Sequence, residues 1–431
     1  MRLLIIGAGP GGYETAVDAA KRGMEVTLIT EGPLGGTCLN EGCIPTKTFC
    51  HYAELIEQNL KAGLDCKPSF AAAAERKQAV IEQLRGGIDM LLKGVEVVQG
   101  RAQFKDAKTV ICNGQEYTAD KIIIATGSVS ASLPVPGAES CITSKEILEL
   151  TEVPESLCVI GGGVIGLEFA SIFRSFGSEV TVLEFCPGIL PRFDSDLAKR
   201  LKQSLSKRGI NIEVQAQVTR IDGNAVTYIK KDKELTVQAD KILMAVGRRP
   251  NTDGLNLEAA GIDYTRKGIT VNDCFETNVP GIYAVGDVTG GIMLAHAATY
   301  QGLHALNCIC GQQDSIRFDL IPAAVFTMPE VATVGLTEEQ CKEQNLEVSC
   351  LKSFYRANGK AVSMDETDGY CKLIVSESGA ILGAHLMGAH ASDLIHEIAA
   401  VMNLNGNLEQ LQNVIHAHPT LSEVLQSALH N

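Results

Sequence analysis

Apolar residues of this chain form short runs that alternate with amphipathic stretches, a pattern typical of strands followed by helices. Near the N-terminus, apolar runs at residues 2–6 and 26–29 flank an Ala-rich helical stretch. Residues 157–160 and 180–183 repeat the same plan around a second helical stretch. Two β-α-β units are therefore expected, which predicts an α/β fold with parallel sheets.

A glycine-rich turn joins the first strand to the helix in each of these units. Both turns read Gly-x-Gly-x-x-Gly, formed by Gly7, Gly9 and Gly12 in the first unit and by Gly161, Gly163 and Gly166 in the second. Glycine lets the chain turn tightly and lets the backbone approach a pyrophosphate at a helix N-terminus. One such turn is weak evidence, but two in register between a strand and a helix indicate two dinucleotide-binding units rather than ordinary turns.

An acidic residue at the end of the second strand of such a unit holds a ribose hydroxyl of the nucleotide. In the second unit this residue is Glu184. The same offset in the first unit falls on Thr30, and Glu31 follows one position later. Either the loop shifts to bring Glu31 to the ribose or Thr30 makes a weaker neutral contact, and we favour Glu31.

Two cysteines, Cys38 and Cys43, lie shortly after the first unit in a glycine-containing segment that ends at Lys47. We expect no metal here, because structural zinc needs a second ligand pair with suitable spacing, and Cys308 with Cys310 lacks it. One alternative is that both cysteines are thiols with only a structural role. A redox disulfide beside a flavin explains better why the pair follows a nucleotide-binding unit so closely, since a disulfide accepts two electrons and exchanges with external thiols.

Length and composition limit the classes of protein that fit. A chain of 431 residues exceeds one ordinary core, so two to four domains are expected. Its 45% hydrophobic and 20% charged residues exclude disorder as the main state. A formal net charge of −14 argues against nucleic acid and anionic membrane surfaces as partners.

The sequence also predicts a compartment. No apolar run approaches the roughly 20 residues that span a bilayer, and the run after Met1 is too short for a signal peptide and lacks a cleavage site. The 14 cysteines are too sparse for a secreted disulfide scaffold. We therefore expect most of them to be buried reduced thiols in a cytoplasmic protein.

Further segments of the chain resemble the motifs of one family. They are the cysteine segment 35–47, and the segments 122–128, 243–252, 281–287 and 416–423. Together with the two glycine turns, they make nearly the whole chain resemble the class I pyridine nucleotide–disulfide oxidoreductases. The resemblance implies two Rossmann-like nucleotide-binding domains, for FAD and for NAD, and a C-terminal α+β dimerisation domain.

The resemblance also implies roles for single residues. Cys38 and Cys43 become the redox-active disulfide, His418 the base, and Glu423 the carboxylate that orients His418. The further cofactor-binding residues it implies are Lys47, Thr126, Gly127, Glu168, Gly247, Gly286 and Asp287. Without the resemblance, Asp287 would be an ordinary turn residue, Lys47 and Glu168 an ordinary surface base and acid, and His418 an ordinary histidine.

Motif order divides the chain into four segments. Residues 1–135 are expected to form the FAD-binding domain, residues 136–259 the NAD-binding domain, residues 260–317 the part that completes the FAD domain, and residues 318–431 the dimerisation domain. The stretch 50–95 is expected to form a pair of helices followed by short strands.

The implied activity depends on which member of the family the chain resembles most. Glu184 would repel the 2′-phosphate of NADP, which favours NAD, and the C-terminal tail lacks the cysteines of the mercuric and large thioredoxin reductases. The chain is most similar to the members that oxidise protein-bound dihydrolipoamide. For this chain the resemblance implies that the substrate attacks Cys38, the more exposed thiol, while Cys43 lies nearer the flavin and holds a thiolate.

This resemblance implies a homodimer whose partner is the lipoyl domain of a 2-oxoacid dehydrogenase or glycine cleavage complex. One alternative is an NAD(P)H-dependent reductase of another disulfide or of a quinone. A second alternative is a non-enzymatic flavoprotein redox subunit, which the retained Cys38, Cys43, His418 and Glu423 disfavour.

Overall fold

The computed structural model describes residues 1–64 and 68–430. Residues 65–67 of the stretch expected to form a helix pair, and Asn431 of the expected dimerisation domain, lie outside the described residues. The predicted α/β class is confirmed, because two parallel sheets with flanking helices are present together with a separate antiparallel sheet.

The strands of the described residues follow in chain order. They are β1 (Arg2–Ile6), β2 (Glu25–Thr30), β3 (Glu96–Gln99), β4 (Gln103–Asp106), β5 (Thr109–Cys112), β6 (Gln115–Thr118), β7 (Lys121–Ile124), β8 (Ser128–Ser130), β9 (Ser156–Ile160), β10 (Glu179–Glu184), β11 (Ile210–Val214), β12 (Gln217–Asp222), β13 (Ala225–Lys230), β14 (Lys233–Gln238), β15 (Lys241–Met244), β16 (Arg248–Pro250), β17 (Tyr264–Thr265), β18 (Gly268–Ile269), β19 (Ile282–Ala284), β20 (Ala323–Val325), β21 (Val331–Gly335), β22 (Val348–Phe354), β23 (Tyr370–Ser376) and β24 (Ile381–Met387).

The helices of the described part of the chain include the two that follow the glycine turns. They are α1 (Pro10–Lys21), α2 (Gly36–Glu41), α3 (Cys43–Lys61), α4 (Phe70–Leu91), α5 (Val164–Phe176), α6 (Ser195–Lys207), α7 (Ala295–Ile309), α8 (Glu338–Glu343), α9 (Gly359–Ser363), α10 (Ala391–Asn403), α11 (Leu408–Gln412) and α12 (Glu423–Leu429). Within this described part of the chain, none of them has the length and apolar character that crossing a membrane requires.

The first compact unit contains Met1–Thr48, Ala74–Ala131 and Gly247–Ile316. Its parallel sheet has the strand order β19-β7-β1-β2-β3. The apolar run of β1 is continuous because both sheet faces are covered: Leu4 and Ile6 belong to one core cluster, whereas Leu3 and Ile5 belong to another. Helices α1 and α7 pack against each other beside this sheet.

The second compact unit contains Phe49–Ala73, Ser132–Val246 and Arg317–Asn431. One of its sheets is parallel, with the order β11-β10-β9-β15, and carries the second predicted β-α-β unit. Another is antiparallel, with the order β20-β21-β24-β23-β22, and packs against α10 and α12 over a large apolar core.

A buried ion pair joins two parts of this second unit. The Nζ atom of Lys372, on β23, lies 2.8 Å from Oδ2 of Asp194 and 2.7 Å from Oε2 of Glu338. Asp194 also caps the N-terminus of α6, where its carboxylate accepts the backbone N–H groups of Asp196 and Leu197. One buried lysine thus connects the antiparallel sheet to the helix that follows β10.

Two expectations need correction. The first helix of the predicted pair begins at Cys43 rather than near residue 50, so the second cysteine of the redox segment starts a helix. Most cysteines are not buried: among the described thiols, the buried ones are Cys112, Cys158, Cys341 and Cys371. Cys274 and Cys308 are not thiols at all, because loop and helix bring their sulfur atoms together in a disulfide.

Candidate active site

The first glycine turn has a shape that only glycine permits. Gly7 has a φ of +107°, and a Cβ on it would lie 2.3 Å from the carbonyl oxygen of Ala125. A Cβ on Gly12 would lie 1.8 Å from the carbonyl oxygen of Gly7. Gly9 is the N-cap of α1, and nothing lies within 4 Å of its Cβ position. The turn therefore offers backbone N–H groups and a bare surface at a helix N-terminus, which suits a pyrophosphate.

The second glycine turn repeats this geometry. A Cβ on Gly161 would lie 2.3 Å from the carbonyl oxygen of Ala245, and one on Gly166 would lie 2.0 Å from that of Gly161. Gly163 caps α5, and again nothing lies within 4 Å of its Cβ position. The two turns place equivalent glycines in equivalent contacts, so the sequence repeat is also a structural repeat.

Glu184, at the end of β10, stabilises the second glycine turn through hydrogen bonds. Its Oε2 accepts the N–H of Gly162 at 2.6 Å, and its Oε1 accepts the N–H of Cys186 at 2.6 Å. The side chain is buried. A carboxylate fixed beside the glycine turn can accept a ribose hydroxyl and repels a 2′-phosphate.

The equivalent strand end in the first unit is Thr30, the last residue of β2. Thr30 is buried, and its Oγ1 donates to the carbonyl oxygen of Gly32 at 3.0 Å. Glu31 follows with an exposed side chain, while its backbone carbonyl accepts the side-chain amide of Gln99 at 2.7 Å. Both residues lie at the strand end, and Glu31 remains our proposed ribose ligand.

The cysteine segment packs directly on the first glycine turn. The N–H of Gly35 donates to the carbonyl oxygen of Ala8 at 2.9 Å. Gly36 has a φ of +57°, and a Cβ on it would lie 2.7 Å from the Cα of Gly9. Helix α2 begins at this contact, so Cys38 follows two residues after Gly36, the residue that lies against the glycine turn. This proximity is what a redox pair beside a bound flavin requires.

Cys38 and Cys43 are both thiols in the structure. A hydrogen bond with Cys43, together with burial, raises the pKa of the Cys38 thiol, and the positive charge of Lys47 offsets only part of this effect. The expected order of exposure is wrong: Cys43, the first residue of α3, is exposed, whereas Cys38 lies within α2 and is half-buried.

Asn40 and Arg85, two residues that the sequence motifs do not single out, hold α2 in place. The Nδ2 of Asn40 donates to the carbonyl oxygens of Leu34 at 3.0 Å and Gly36 at 2.7 Å. Arg85, on α4, donates to Oδ1 of Asn40 at 2.5 Å. Asn40 lies within the cysteine motif, which is the signal that could have identified it.

A second missed feature is a hydrogen-bonded chain from Arg248 through Ser128 to Asp287. The Oγ of Ser128 donates to Oδ2 of Asp287 at 2.5 Å and accepts from Nε of Arg248 at 2.7 Å. Burial lowers the pKa of the Arg248 guanidinium, while the charges of Asp287, Cys43 and Glu41 act in the opposite direction. The Arg248 guanidinium thus interacts electrostatically with Cys43 and with the Asp287 carboxylate.

The loops that carry Thr126 and Gly127 are tied to the segment after Gly247. The Oγ1 of Thr126 donates to the carbonyl oxygen of Asn251 at 2.7 Å, and the N–H of Asn251 donates to that of Gly127 at 2.9 Å. Gly286 precedes Asp287, and its N–H donates to Oε1 of Gln301 on α7 at 2.7 Å. The structure therefore brings these predicted residues together with Asp287 in the first unit.

In the second unit, His418 and Glu423 form a pair. The Nδ1 of His418 lies 2.9 Å from Oε1 of Glu423, and Oε2 of Glu423 accepts the N–H of Thr420 at 2.8 Å. The hydrogen bond from Thr420, followed by that from His418, lowers the pKa of the Glu423 carboxyl. The side chain of His418 is 78% exposed to solvent.

Two further side chains, of His416 and Glu168, are buried in the second unit. His416 pairs through Nε2 with Oε1 of Glu397 at 2.8 Å and is 4% exposed, in keeping with a structural role. Glu168, on α5, is also buried, and its Oε1 accepts the N–H of Phe326 at 2.9 Å. Glu168 is therefore not an ordinary surface acid.

These features suit two dinucleotides. The bare Gly9 and Gly163 positions at helix N-termini fit pyrophosphates, and the buried Glu184 carboxylate fits an unphosphorylated ribose. The cysteine pair against the first turn fits a two-electron carrier that accepts electrons from thiols.

Comparison with known proteins gives the same result along the whole chain. Residues 1–302 match the family described as pyridine nucleotide-disulphide oxidoreductase, and residues 321–429 match its dimerisation domain. The dihydrolipoyl dehydrogenase of Geobacillus stearothermophilus is 42% identical over 99% of this chain and 94% of its own length. That of Bacillus subtilis is 39% identical over 100% of this chain and 98% of its own length.

Among solved structures, the HOCl-induced flavoprotein disulfide reductase RclA from Escherichia coli superposes with a TM-score of 0.91. It shares 33% sequence identity, and the match covers 100% of this chain and 99% of that chain.

Proposed function

Because the chain belongs to the pyridine nucleotide-disulphide oxidoreductase family, we propose that it oxidises dihydrolipoamide to lipoamide and reduces NAD to NADH. The observation that carries this proposal is the contact between Gly36 and Gly9, which places the Cys38–Cys43 pair beside a dinucleotide turn. The curated relatives with about 40% identity over the full length share the name of that activity.

The proposal assigns FAD to the first glycine turn, with residues 1–135 and 260–317, and NAD to the second, with residues 136–259. FAD, when bound, relays the electron pair from the cysteines to NAD. Gly7, Gly9 and Gly12 would hold its pyrophosphate. Further contacts on the FAD side come from Glu31, Lys47, Thr126, Gly127, Glu168, Gly286 and Asp287, whereas Gly161, Gly163, Gly166, Glu184 and Gly247 serve the NAD side.

The chemistry of this chain is thiol–disulfide exchange. A substrate thiolate attacks the Cys38 sulfur of the oxidised pair, the Cys38–Cys43 bond breaks, and the second substrate thiolate then releases Cys38. The dithiol loses two electrons and two protons, NAD takes up both electrons with one proton, and one proton is released. Cys43 is the proposed carrier of the negative charge of the reduced pair, and the raised pKa of the Cys38 thiol agrees with this assignment.

His418 is the proposed base that takes a proton from the substrate thiol. Its Nδ1 points to Glu423, so the carboxylate fixes the ring and leaves Nε2 for the substrate. This division of roles matches the general logic of a base that is oriented by a carboxylate. The hydrogen bonds from Thr420 and His418 lower the pKa of Glu423, so they further favour the carboxylate form that this role needs.

The proposal includes a cytoplasmic homodimer that accepts the lipoyl arm of a 2-oxoacid dehydrogenase or glycine cleavage complex. The family match over residues 321–429 is named for dimerisation, and residues 318–431 are the proposed interface. Leu404, Val414 and Ile415, close to His418 in sequence, expose 80%, 42% and 95% of their surface. A subunit contact would remove these apolar groups from water.

A second candidate is reduction of another disulfide at the expense of NAD(P)H. The RclA match favours it, because that protein is named as a disulfide reductase and has the same fold over the whole chain. The buried carboxylate of Glu184 restricts this candidate to NADH. The same cysteine pair would then transfer electrons in the opposite direction, from NADH to the disulfide substrate.

The test is NADH formation from dihydrolipoamide and NAD by the purified, FAD-loaded protein. We expect robust turnover by the wild type and its loss in Cys38→Ser and in Cys43→Ser. Cys50→Ser is the matched control, since Cys50 lies on the same helix as Cys43 but bonds the carbonyl oxygen of Phe326. Equal activity of Cys43→Ser and Cys50→Ser would contradict the proposal.

A further inference from the structure

A second cluster of sulfur and nitrogen ligands lies at the far end of α7. Cys308 and His304 are four residues apart on this helix and share one face, and Cys274 reaches them from a loop before β19. One ligand atom of each residue lies within 4.8 Å of the other two. Each of the three side chains is half-buried.

This cluster is separate from the redox pair that the proposed function uses. Near the start of α7, the carbonyl oxygen of Ala298 lies 3.1 Å from the position that a Cβ on Gly11 of the first glycine turn would take. Cys308 is ten residues further along the helix, which corresponds to about 15 Å along its axis. The cluster therefore has its own place in the first unit.

His304 is held in the orientation of a metal ligand. Its Nδ1 lies 2.9 and 2.8 Å from the two carboxylate oxygens of Asp314. Its Nε2 faces the Sγ of Cys308 at 3.7 Å. A carboxylate that accepts Nδ1–H fixes the tautomer with the lone pair on Nε2, which is the arrangement seen behind metal-bound histidines.

Asp314 is in turn fixed by its neighbours. Its Oδ2 accepts the side-chain amide of Asn307 at 2.7 Å, and its Oδ1 accepts the N–H of Ile316 at 3.1 Å. On the other side, Oδ1 of Asn272 accepts the N–H of Cys274 at 2.9 Å, which holds the loop that carries this cysteine. Both sides of the cluster are thus supported by hydrogen bonds.

The spacing of the donors suits zinc. With Zn–S near 2.3 Å and Zn–N near 2.0–2.1 Å, a tetrahedral site separates sulfur from nitrogen by about 3.6 Å. The 3.7 Å between Cys308 Sγ and His304 Nε2 agrees with this value. The Cα atoms of Cys274 and Cys308 are 6.0 Å apart, close enough for both sulfurs to bind one ion.

We propose that Cys274, Cys308 and His304 form a three-ligand site for a thiophilic cation of the zinc class when the Cys274–Cys308 bond is reduced, and that Asp314 positions His304. A dithiol reductant breaks this bond by exchange, becoming a disulfide itself and leaving both cysteines as thiols. Zn²⁺ then displaces the two thiol protons and binds two thiolates and one neutral imidazole. The fourth position is left for water or an added ligand.

The disulfide and the metal site exclude each other, because the same two sulfurs serve both. A purely structural disulfide is the competing interpretation. It accounts for Cys274 and Cys308 but assigns no role to the orientation of His304 towards sulfur.

The test measures Zn²⁺ bound per chain after anaerobic reduction of the FAD-loaded protein with dithiothreitol and removal of the reductant. Because Cys38 and Cys43 are reduced as well, the informative quantity is the difference between variants. Wild type should bind one more Zn²⁺ than Cys308→Ser or Cys274→Ser. Cys310→Ser is the matched control and should bind as wild type, since Cys310 is exposed and lies outside the cluster.

Two milder variants keep the proposal testable if loss of a cysteine disturbs folding. Asp314→Asn should weaken Zn²⁺ binding by about 10–100-fold, and His304→Gln should weaken it at least as much. Co²⁺ offers an independent readout, because thiolate ligands give it an intense near-ultraviolet charge-transfer band that Cys308→Ser should lose.

Equal Zn²⁺ stoichiometry and affinity in Cys308→Ser, Asp314→Asn and Cys310→Ser would overturn the proposal. A Cys274–Cys308 disulfide that resists dithiothreitol in the folded protein would also overturn it, because the thiolate ligands would never form. Reoxidation of the loaded wild type should release the extra Zn²⁺, and retention of the ion would contradict the shared use of the sulfurs.

Discussion

A Cβ atom on Gly36 would stand 2.7 Å from the Cα of Gly9, so the backbone of the cysteine segment lies directly against that of the first glycine turn. Gly36 also adopts a φ of +57°, which disfavours other residues. This contact connects the thiol chemistry to the nucleotide-binding turn.

Gly36→Ala should therefore weaken FAD binding by about tenfold or more, because the left-handed conformation alone costs about 1–2 kcal/mol and the clash displaces the turn. The flavin absorbance per chain after gel filtration measures this. Gly32→Ala is the control, since nothing lies within 4 Å of its Cβ position and its φ is ordinary. Full FAD content in Gly36→Ala would show that the added methyl group is accommodated without weaker FAD binding, which would contradict this prediction.

Glu184→Gln should raise the KM for NAD by about tenfold, because an amide cannot accept both N–H groups as the carboxylate does and charge-assisted hydrogen bonds contribute about 1.5–3 kcal/mol. Glu184→Arg should also raise the rate with NADPH relative to NADH, since a guanidinium pairs with phosphate. Steady-state kinetics with both nucleotides measure these changes.

The control for these variants is Glu179→Gln, at the exposed start of the same strand. Its nucleotide preference should equal that of the wild type. A wild-type enzyme that preferred NADPH would disprove the role of Glu184 as a ribose ligand.

Lys372→Met should lower the free energy of unfolding by about 3–5 kcal/mol, because it leaves the buried Asp194 carboxylate without its cation. Thermal unfolding measures the loss. Lys105→Met is the matched control: the Lys105–Glu116 pair is half exposed, so the Tm should hardly change. Equal Tm values for both variants would contradict the importance of the buried pair.

The same cluster predicts a dependence of stability on pH. Hydrogen bonds from Lys342 and then Lys372 lower the pKa of Glu338 from its ordinary 4.5 to about 2. A depressed carboxyl pKa contributes stability above the unfolded pKa and loses it as the pH falls through the folded value. Urea unfolding should therefore show this contribution disappearing between about pH 4.5 and pH 2, and a smaller loss in Lys372→Met.

Mixing two inactive variants tests whether His418 serves the partner subunit. Cys38→Ser and His418→Ala homodimers, unfolded together and refolded, should recover up to about one quarter of wild-type activity, since half the dimers are mixed and each has one intact site of two. Each variant refolded alone is the control. Heterodimers without activity would show that His418 acts on its own chain or not at all.

The sequence predicts local features of this molecule well. The two β-α-β units follow from periodicity and glycine spacing within about 30 residues, and the structure reproduces them nearly residue for residue. His418 and Glu423 are likewise close in sequence, and the structure pairs them.

Features that depend on distant residues could not be predicted in this way. Asp287 and Ser128 are 159 residues apart, and Lys372 and Asp194 are 178 residues apart, so only folding brings each pair together. The cluster of Cys274, His304 and Cys308 was missed because its ligands come from a loop and a helix, without a local spacing that is typical of metal sites. The exposure of Cys43 similarly depends on where α3 begins.

The most direct test of the proposed activity compares two reactions of the same FAD-loaded preparation. One is oxidation of dihydrolipoamide with NAD, and the other is reduction of glutathione disulfide with NADPH, each measured as kcat/KM. We predict that the first exceeds the second by about 100-fold or more, which corresponds to about 2.7 kcal/mol of transition-state preference. A larger value for glutathione disulfide with NADPH would contradict both the dithiol substrate and the role of Glu184.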